Sequence, residues 1–162
     1  MSTIAQAGSD GCCFGQEIRK LAYDGAVQSN LYGCDPRSEF FNLGYRLFRD
    51  RDTLKSTFIE ADIFDSESAL FELAGKVDVI WRASFLHLFG SEMQVEVCKR
   101  LVGLLSERGG SLVLGRQVGN VVAGEYVQVV NEGGMAYRHN AESFGKMWDR
   151  VGKETGMRWR VE

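Results

Sequence analysis

Gly11-Cys12-Cys13-Phe14-Gly15, running into Gln16-Glu17-Ile18 and on to Asn30-Leu31-Tyr32-Gly33-Cys34-Asp35, decides the fold of this chain. A glycine turn opens a helix, and roughly twenty residues later a short strand ends in a carboxylate. Open α/β sheets hold a nucleotide with this spacing, because glycines let the backbone approach the ligand and the acid takes the ribose hydroxyls. Residues 1–10 offer only Ile4 as a large aliphatic side chain besides the initiator methionine. The strand that should carry the glycine loop is therefore expected to be barely formed. Cys13 stands where a middle glycine is expected and reads as a packing thiol, not a nucleophile.

Outward from that stretch, helix and strand signals alternate, which predicts an α/β fold with a largely parallel sheet. Residues 16–23 form a helix with Ile18, Leu21 and Ala22 inward, and 31–34 form a strand that Pro36 terminates. Ser38 is the expected cap of a helix carrying Phe40, Leu43, Leu47 and Phe48. A strand over 57–62 ends at Asp62, a short helix covers 66–73, and the β-branched run 77–81 is a further strand. Ser91 is expected to cap a helix through Leu105. Residues 111–115 read as a buried strand, and 118–130 as a glycine-punctuated hairpin or flap. Asn140 opens a last helix, and 158–162 read as the start of a final strand. Neither repeat nor linker is visible, so 1–162 is read as a single domain.

The formal charge of −3 on 162 residues, with basic and acidic side chains interleaved, argues against nucleic-acid or anionic-membrane partners. Cys12, Cys13, Cys34 and Cys98 form no C-x-x-C pair, so neither a metal site nor a disulfide framework is expected. No leader pattern and no long apolar run is present, which predicts a cytoplasmic chain.

By Asp62 the pattern is specific. Glycine loop, acid after the second strand, Ala61-Asp62 after the third and an apolar fourth strand together resemble the class I S-adenosylmethionine (SAM) methyltransferases. More closely, the chain resembles fungal secondary-metabolite methyltransferases of the meroterpenoid-pathway type. The stretches that carry this are 11–16, 31–35, Phe85-Leu86-His87-Leu88-Phe89, Gly115-Arg116-Gln117-Val118-Gly119 and Tyr137-Arg138-His139-Asn140. The resemblance implies an incomplete Rossmann-like α/β/α sandwich. It implies Gly11 and Gly15 against the methionine moiety of SAM, Asp35 on the ribose hydroxyls, and Asp62 with Ile63 at the adenine.

The same comparison exposes departures. An acid two residues before the first loop glycine is expected, but Gly8 and Ser9 occupy that neighbourhood. A covering N-terminal segment and a closing C-terminal hairpin are not seen, so the chain reads as shortened at both ends. These departures favour a repurposed fold: a cofactor-independent cyclase, isomerase or pericyclase acting on a small apolar terpenoid or polyketide. Trp81, Phe85, Phe89, Tyr126 and Tyr137 would form its walls, and Arg82, His87, Arg116 and His139 would polarise a carbonyl. The alternatives are SAM-dependent O-methylation of a terpenoid carboxyl or hydroxyl, with His87 or His139 as base, and a non-catalytic pathway partner. The edge at 158–162 is expected to support a homo-oligomer.

Overall fold

A computed structural model of the protein describes residues 3–7, there as backbone alone, together with 11–128 and 134–162. In chain order the elements are β1 (Thr3–Ala7), α1 (Gln16–Tyr23), β2 (Leu31–Asp35), α2 (Glu39–Phe48), β3 (Thr57–Glu60), β4 (Val79–Ala83), α3 (Ser91–Leu104), β5 (Leu112–Arg116), β6 (Gly124–Val127), β7 (Met135–Arg138) and α4 (Ala141–Thr155). Short 3-10 turns cover Gln28–Asn30, Ala69–Leu73 and Leu86–Leu88. The α/β, Rossmann-like class expected from the sequence is the one observed.

The chain divides into two compact units, one comprising residues up to Phe85 with Leu104–Arg116, the other Leu86–Gly103 with Gln117–Glu162. In the first unit five parallel strands run in the order β3-β2-β1-β4-β5. The order reverses at β1. In open α/β sheets that reversal opens a crevice beyond the carboxyl ends of the strands. Ile18 of α1 and Leu31 of β2 are buried together, with Leu21, Ala22, Ala26, Phe58 and Trp81 packed on them. Phe58 also meets Phe41 and Tyr45 of α2, at 5.1 and 5.6 Å between ring centroids.

Several expectations are corrected here. The first strand is formed, and it is central: Thr3–Ala5 pair with Leu31–Gly33 on one side, and Thr3–Ala7 with Val79–Ala83 on the other. Two flanking strands supply the hydrogen bonds that its own weak β-propensity would not secure. Positions 8–10, with the missing acid, lie outside the described residues. β5, read as buried, has Leu112 and Leu114 more than 40% exposed. It pairs with β4 alone among the described residues. Ser38 makes no side-chain cap to α2, its own backbone being already helical.

In the second unit β6 and β7 form an antiparallel hairpin; only β6 lies in the 118–130 stretch read as a hairpin or flap, its partner strand is at Met135–Arg138, and 129–133 lie outside the described residues. Asn140 caps α4 through a reciprocal box: its side chain accepts the Ser143 N–H at 2.9 Å, and Ser143 Oγ accepts the Asn140 N–H at 3.1 Å. Arg150 of α4 makes a two-pronged ion pair with Glu92 of α3, at 2.7 and 2.8 Å. Residues 158–162 form no strand. Instead Trp159 packs on Trp148 of α4 with centroids 4.9 Å apart, so the sheet edge expected to support a homo-oligomer is not there.

Candidate functional site

The first unit gathers the cofactor candidates at the carboxyl edge of its sheet. The loop after β1 is tied to β2 at two points and closed on itself at a third. Cys12 N–H donates to the Cys34 carbonyl at 2.7 Å, Cys13 N–H donates to Asp35 Oδ2 at 2.8 Å, and Gly15 N–H closes the turn on the Cys12 carbonyl at 2.8 Å. Gly11 must be glycine: at φ 137° a Cβ would lie 2.6 Å from the Cys34 carbonyl oxygen. Cys13 adopts φ 51°, the conformation a glycine would take. Gly15, left-handed at φ 69°, begins α1 with no side-chain cap. The burial of Cys12 pushes its thiol pKa upward, and Cys34 is pushed up to about 12 by burial and then by Asp35. Both thiols are protonated packing groups.

Asp35 is wholly buried. Its second oxygen accepts the Arg37 N–H at 2.9 Å, across Pro36. Asp62, two residues past β3, is exposed and accepts the Phe64 N–H at 2.8 Å, while Ile63 is buried. These residues fit SAM by their chemistry. A carboxylate is the group that accepts from ribose hydroxyls. Asp62 is open to an amine, and the uncapped start of α1 offers backbone donors. Because Asp35 has no accessible surface, the 11–13 loop must yield before a hydroxyl reaches it.

The remaining candidates separate between the units. Trp81 is partly buried and packs on the Ile18–Leu31 cluster. Arg82 and Phe85 are also buried, at 5% exposure each, and do not stand open to a substrate. Arg116 ends β5 with an exposed side chain, and its carbonyl accepts the Ser84 N–H at 2.8 Å.

His87, Phe89, Tyr126, Tyr137 and His139 all fall in the second unit, organised by a residue the sequence reading missed. Gln94 of α3 is fully buried, and its amide donates to the carbonyls of Phe89 (2.9 Å) and Tyr137 (2.8 Å). Tyr137 N–H donates in turn to the Phe89 carbonyl at 3.0 Å. The available signal was a polar residue inside the inward stripe of Val97, Cys98 and Leu101. Gln94→Leu should leave the Tyr137 carbonyl without this donor and lower stability by about 1–3 kcal/mol. Urea denaturation of the variant measures that loss.

His139 is 7% exposed, lies tilted against Tyr137 with ring centroids 4.7 Å apart, and places Nδ1 2.9 Å from Ser143 Oγ. Its Nε2 is buried with no hydrogen-bond partner among the described residues. Ser143 Oγ also lies 3.2 Å from the Asn140 carbonyl. When its single proton goes to that carbonyl, Nδ1–H donates to the hydroxyl and Nε2 holds the lone pair of a base. His87 is the opposite case. Its Nδ1 accepts the Val118 N–H at 3.4 Å, so in the neutral ring the proton sits on Nε2.

Burial lowers the pKa of both imidazoles, and for His87 the nearby Arg138 lowers it further. The unfolded chain, at about 6.5, takes up these protons before the folded one does as pH falls. The stabilising contribution is therefore complete above about pH 6.5 and is lost as pH drops from there through the depressed folded values. Urea midpoints measured across this window should fall toward the acid side. A protein with both histidines replaced by glutamine should lose that slope.

No protein-family model matches the chain. By sequence it is 48% identical over 152 residues to the O-methyltransferase phiE of a fungal species, which covers 93% of this chain and 50% of phiE. It is 46% identical over 153 residues to the O-methyltransferase atr3 of Stereocaulon alpinum, covering 94% of this chain and 44% of atr3. The chain thus spans about half the length of these relatives. By structure it is similar to the magnesium protoporphyrin IX methyltransferase of Synechocystis PCC 6803 solved with bound SAM. The TM-score is 0.58 at 19% identity, over 92% of this chain and 58% of that one. That likeness shows the fold. A cofactor-free cyclase has no counterpart among these relatives, and the strand whose weakness favoured it is present. Among the described residues no helix is long and apolar enough to cross a membrane.

Proposed function

We propose, for a chain related along nearly its whole length to fungal secondary-metabolite methyltransferases, that it carries out SAM-dependent O-methylation of a carboxyl or hydroxyl on a small apolar natural product. The observation that carries the reading is the 48% identity to an O-methyltransferase. The glycine loop and strand-end acids at the switch point of the sheet support it.

Bound SAM supplies a methyl group on a positively charged sulfur, ready for attack by an oxygen. Asp35 and Asp62 would hold the ribose and adenine, and the 11–15 loop the methionine end. A carboxylate attacks without a base. A hydroxyl must lose its proton to a base; His139 Nε2, with Ser143 holding the ring in the required tautomer, takes that role only once its buried surroundings open to the acceptor. His87, with its proton on Nε2, serves as a donor and not as the base expected from sequence. Most of the acceleration then comes from holding the acceptor oxygen in line with the methyl group.

Incubation of the protein with SAM and a panel of apolar carboxylic acids and phenols tests the reading. Mass spectrometry should find at least one product heavier by a single CH2, and S-adenosylhomocysteine (SAH) should accumulate in equal amount. A panel that yields neither product nor SAH overturns it.

A further inference from the structure

Arg138 is not accounted for by the cofactor site or by the base. It ends β7, and in the hairpin register it pairs with Gly124, which presents no side chain to it. Its guanidinium lies instead over the ring of Tyr126, the diagonal neighbour on β6, 5.1 Å from the centroid. The side chain is half-buried, and no ion pair to it occurs among the described residues. The other arginines on helices of this unit contrast with it: Arg150 holds Glu92 and Glu154, and Arg100 holds Glu96.

Arg138 follows Tyr137, whose N–H and carbonyl are fixed by Phe89 and Gln94. His87 lies two residues before Phe89 on the other side of that seam. The Val118 amide occupies His87 Nδ1 and leaves Nε2–H as a donor. A cation with no carboxylate partner among the described residues and an imidazole N–H thus flank one seam between the 86–88 turn and β7. Exposed Val118, Val121 and Val122 lie on the adjoining segment. Two donors of this kind, one charged, suit an anionic oxygen on an otherwise apolar molecule.

From this arrangement we infer that Arg138, assisted by His87 Nε2–H, is the specificity-determining residue that reads the anionic oxygen of the acceptor. The inference rests on the methyl-transfer reading for what happens next, but the binding it claims requires no SAM. One oxygen of a carboxylate is held by the donors, and the other is left to attack. A neutral acceptor of the same shape forfeits the charged contact.

The test uses two fluorescent probes of equal size, 1-naphthoate and 1-naphthamide, titrated against the whole chain without SAM. Wild type should bind the acid in preference to the amide. Arg138→Gln should weaken the acid by about tenfold or more, the loss of a charged hydrogen bond, and leave the amide unchanged. Arg138→Lys should recover part of the preference, and His87→Phe should reduce it. Arg138→Gln should bind SAH as wild type does, which also shows that it is folded. No preference in wild type, or an equal loss of both probes in Arg138→Gln, overturns the inference. If the preference behaves as stated while wild type fails to bind SAH, the anion site stands and the methyl-transfer reading falls.

Discussion

Gly115→Ala is expected to lower stability by about 3 kcal/mol or more, the upper range for adding a methyl group to a packed site. Gly115 pairs with Arg82 across the β4–β5 ladder. A Cβ there would lie 1.7 Å from the Arg82 carbonyl oxygen and 2.8 Å from its carbon. Both are backbone atoms, so no rotamer change relieves the overlap. β5 must withdraw from β4, and the bond from Ser84 N–H to the Arg116 carbonyl goes with it. Gly145, inside α4, is the counter-case: nothing lies within 4 Å of its Cβ position. Gly145→Ala should stabilise by about 0.5–1 kcal/mol through helix propensity alone. Urea unfolding should move the two midpoints in opposite directions. A Gly115→Ala midpoint that does not fall would mean that the β4–β5 approach is not as close as described.

Asp35→Ala is the second large effect, and it couples stability to binding. The substitution strips the acceptor from two backbone N–H groups, those of Cys13 and Arg37. Leaving both unsatisfied beside a buried strand end should cost about 2–5 kcal/mol. Cys13 sits at positive φ, and the bond to Asp35 is one of the contacts holding the loop there. The loop should therefore loosen and SAH binding should be lost. Asp35→Asn preserves shape and one acceptor but turns an NH2 group toward the other amide. It should fall between wild type and alanine in unfolding midpoint while still failing to bind SAH tightly. Thermal unfolding with and without SAH separates the two consequences. A stable Asp35→Ala protein with unchanged SAH affinity would remove Asp35 from the site.

Local signals in the sequence were strong where the chain makes its own structure. The first helix has the bounds expected of it, 16–23, and Asn140 caps the last one. The glycine loop and Asp35 were legible from spacing, because the αL turn and the strand-end acid each need a particular residue type. Elements made by their neighbours were not legible. Thr3–Ala7 has little strand character, and pairing on both sides creates the strand. The alternating charges of 158–162 looked like a strand, but Trp159 finds Trp148 instead. At the site, the tautomer of His87 depends on an amide thirty-one residues away, at Val118. The role of Gln94 depends on two carbonyls that the fold brings together. Spacing carries no information about such partners.

The most direct test of the central claim is calorimetric titration of the whole chain with SAH, repeated on Asp35→Ala. The account predicts saturable binding of one SAH per chain at micromolar affinity, abolished by the substitution. Absence of heat for the wild-type chain, together with an unfolding temperature that SAH does not move, would contradict it.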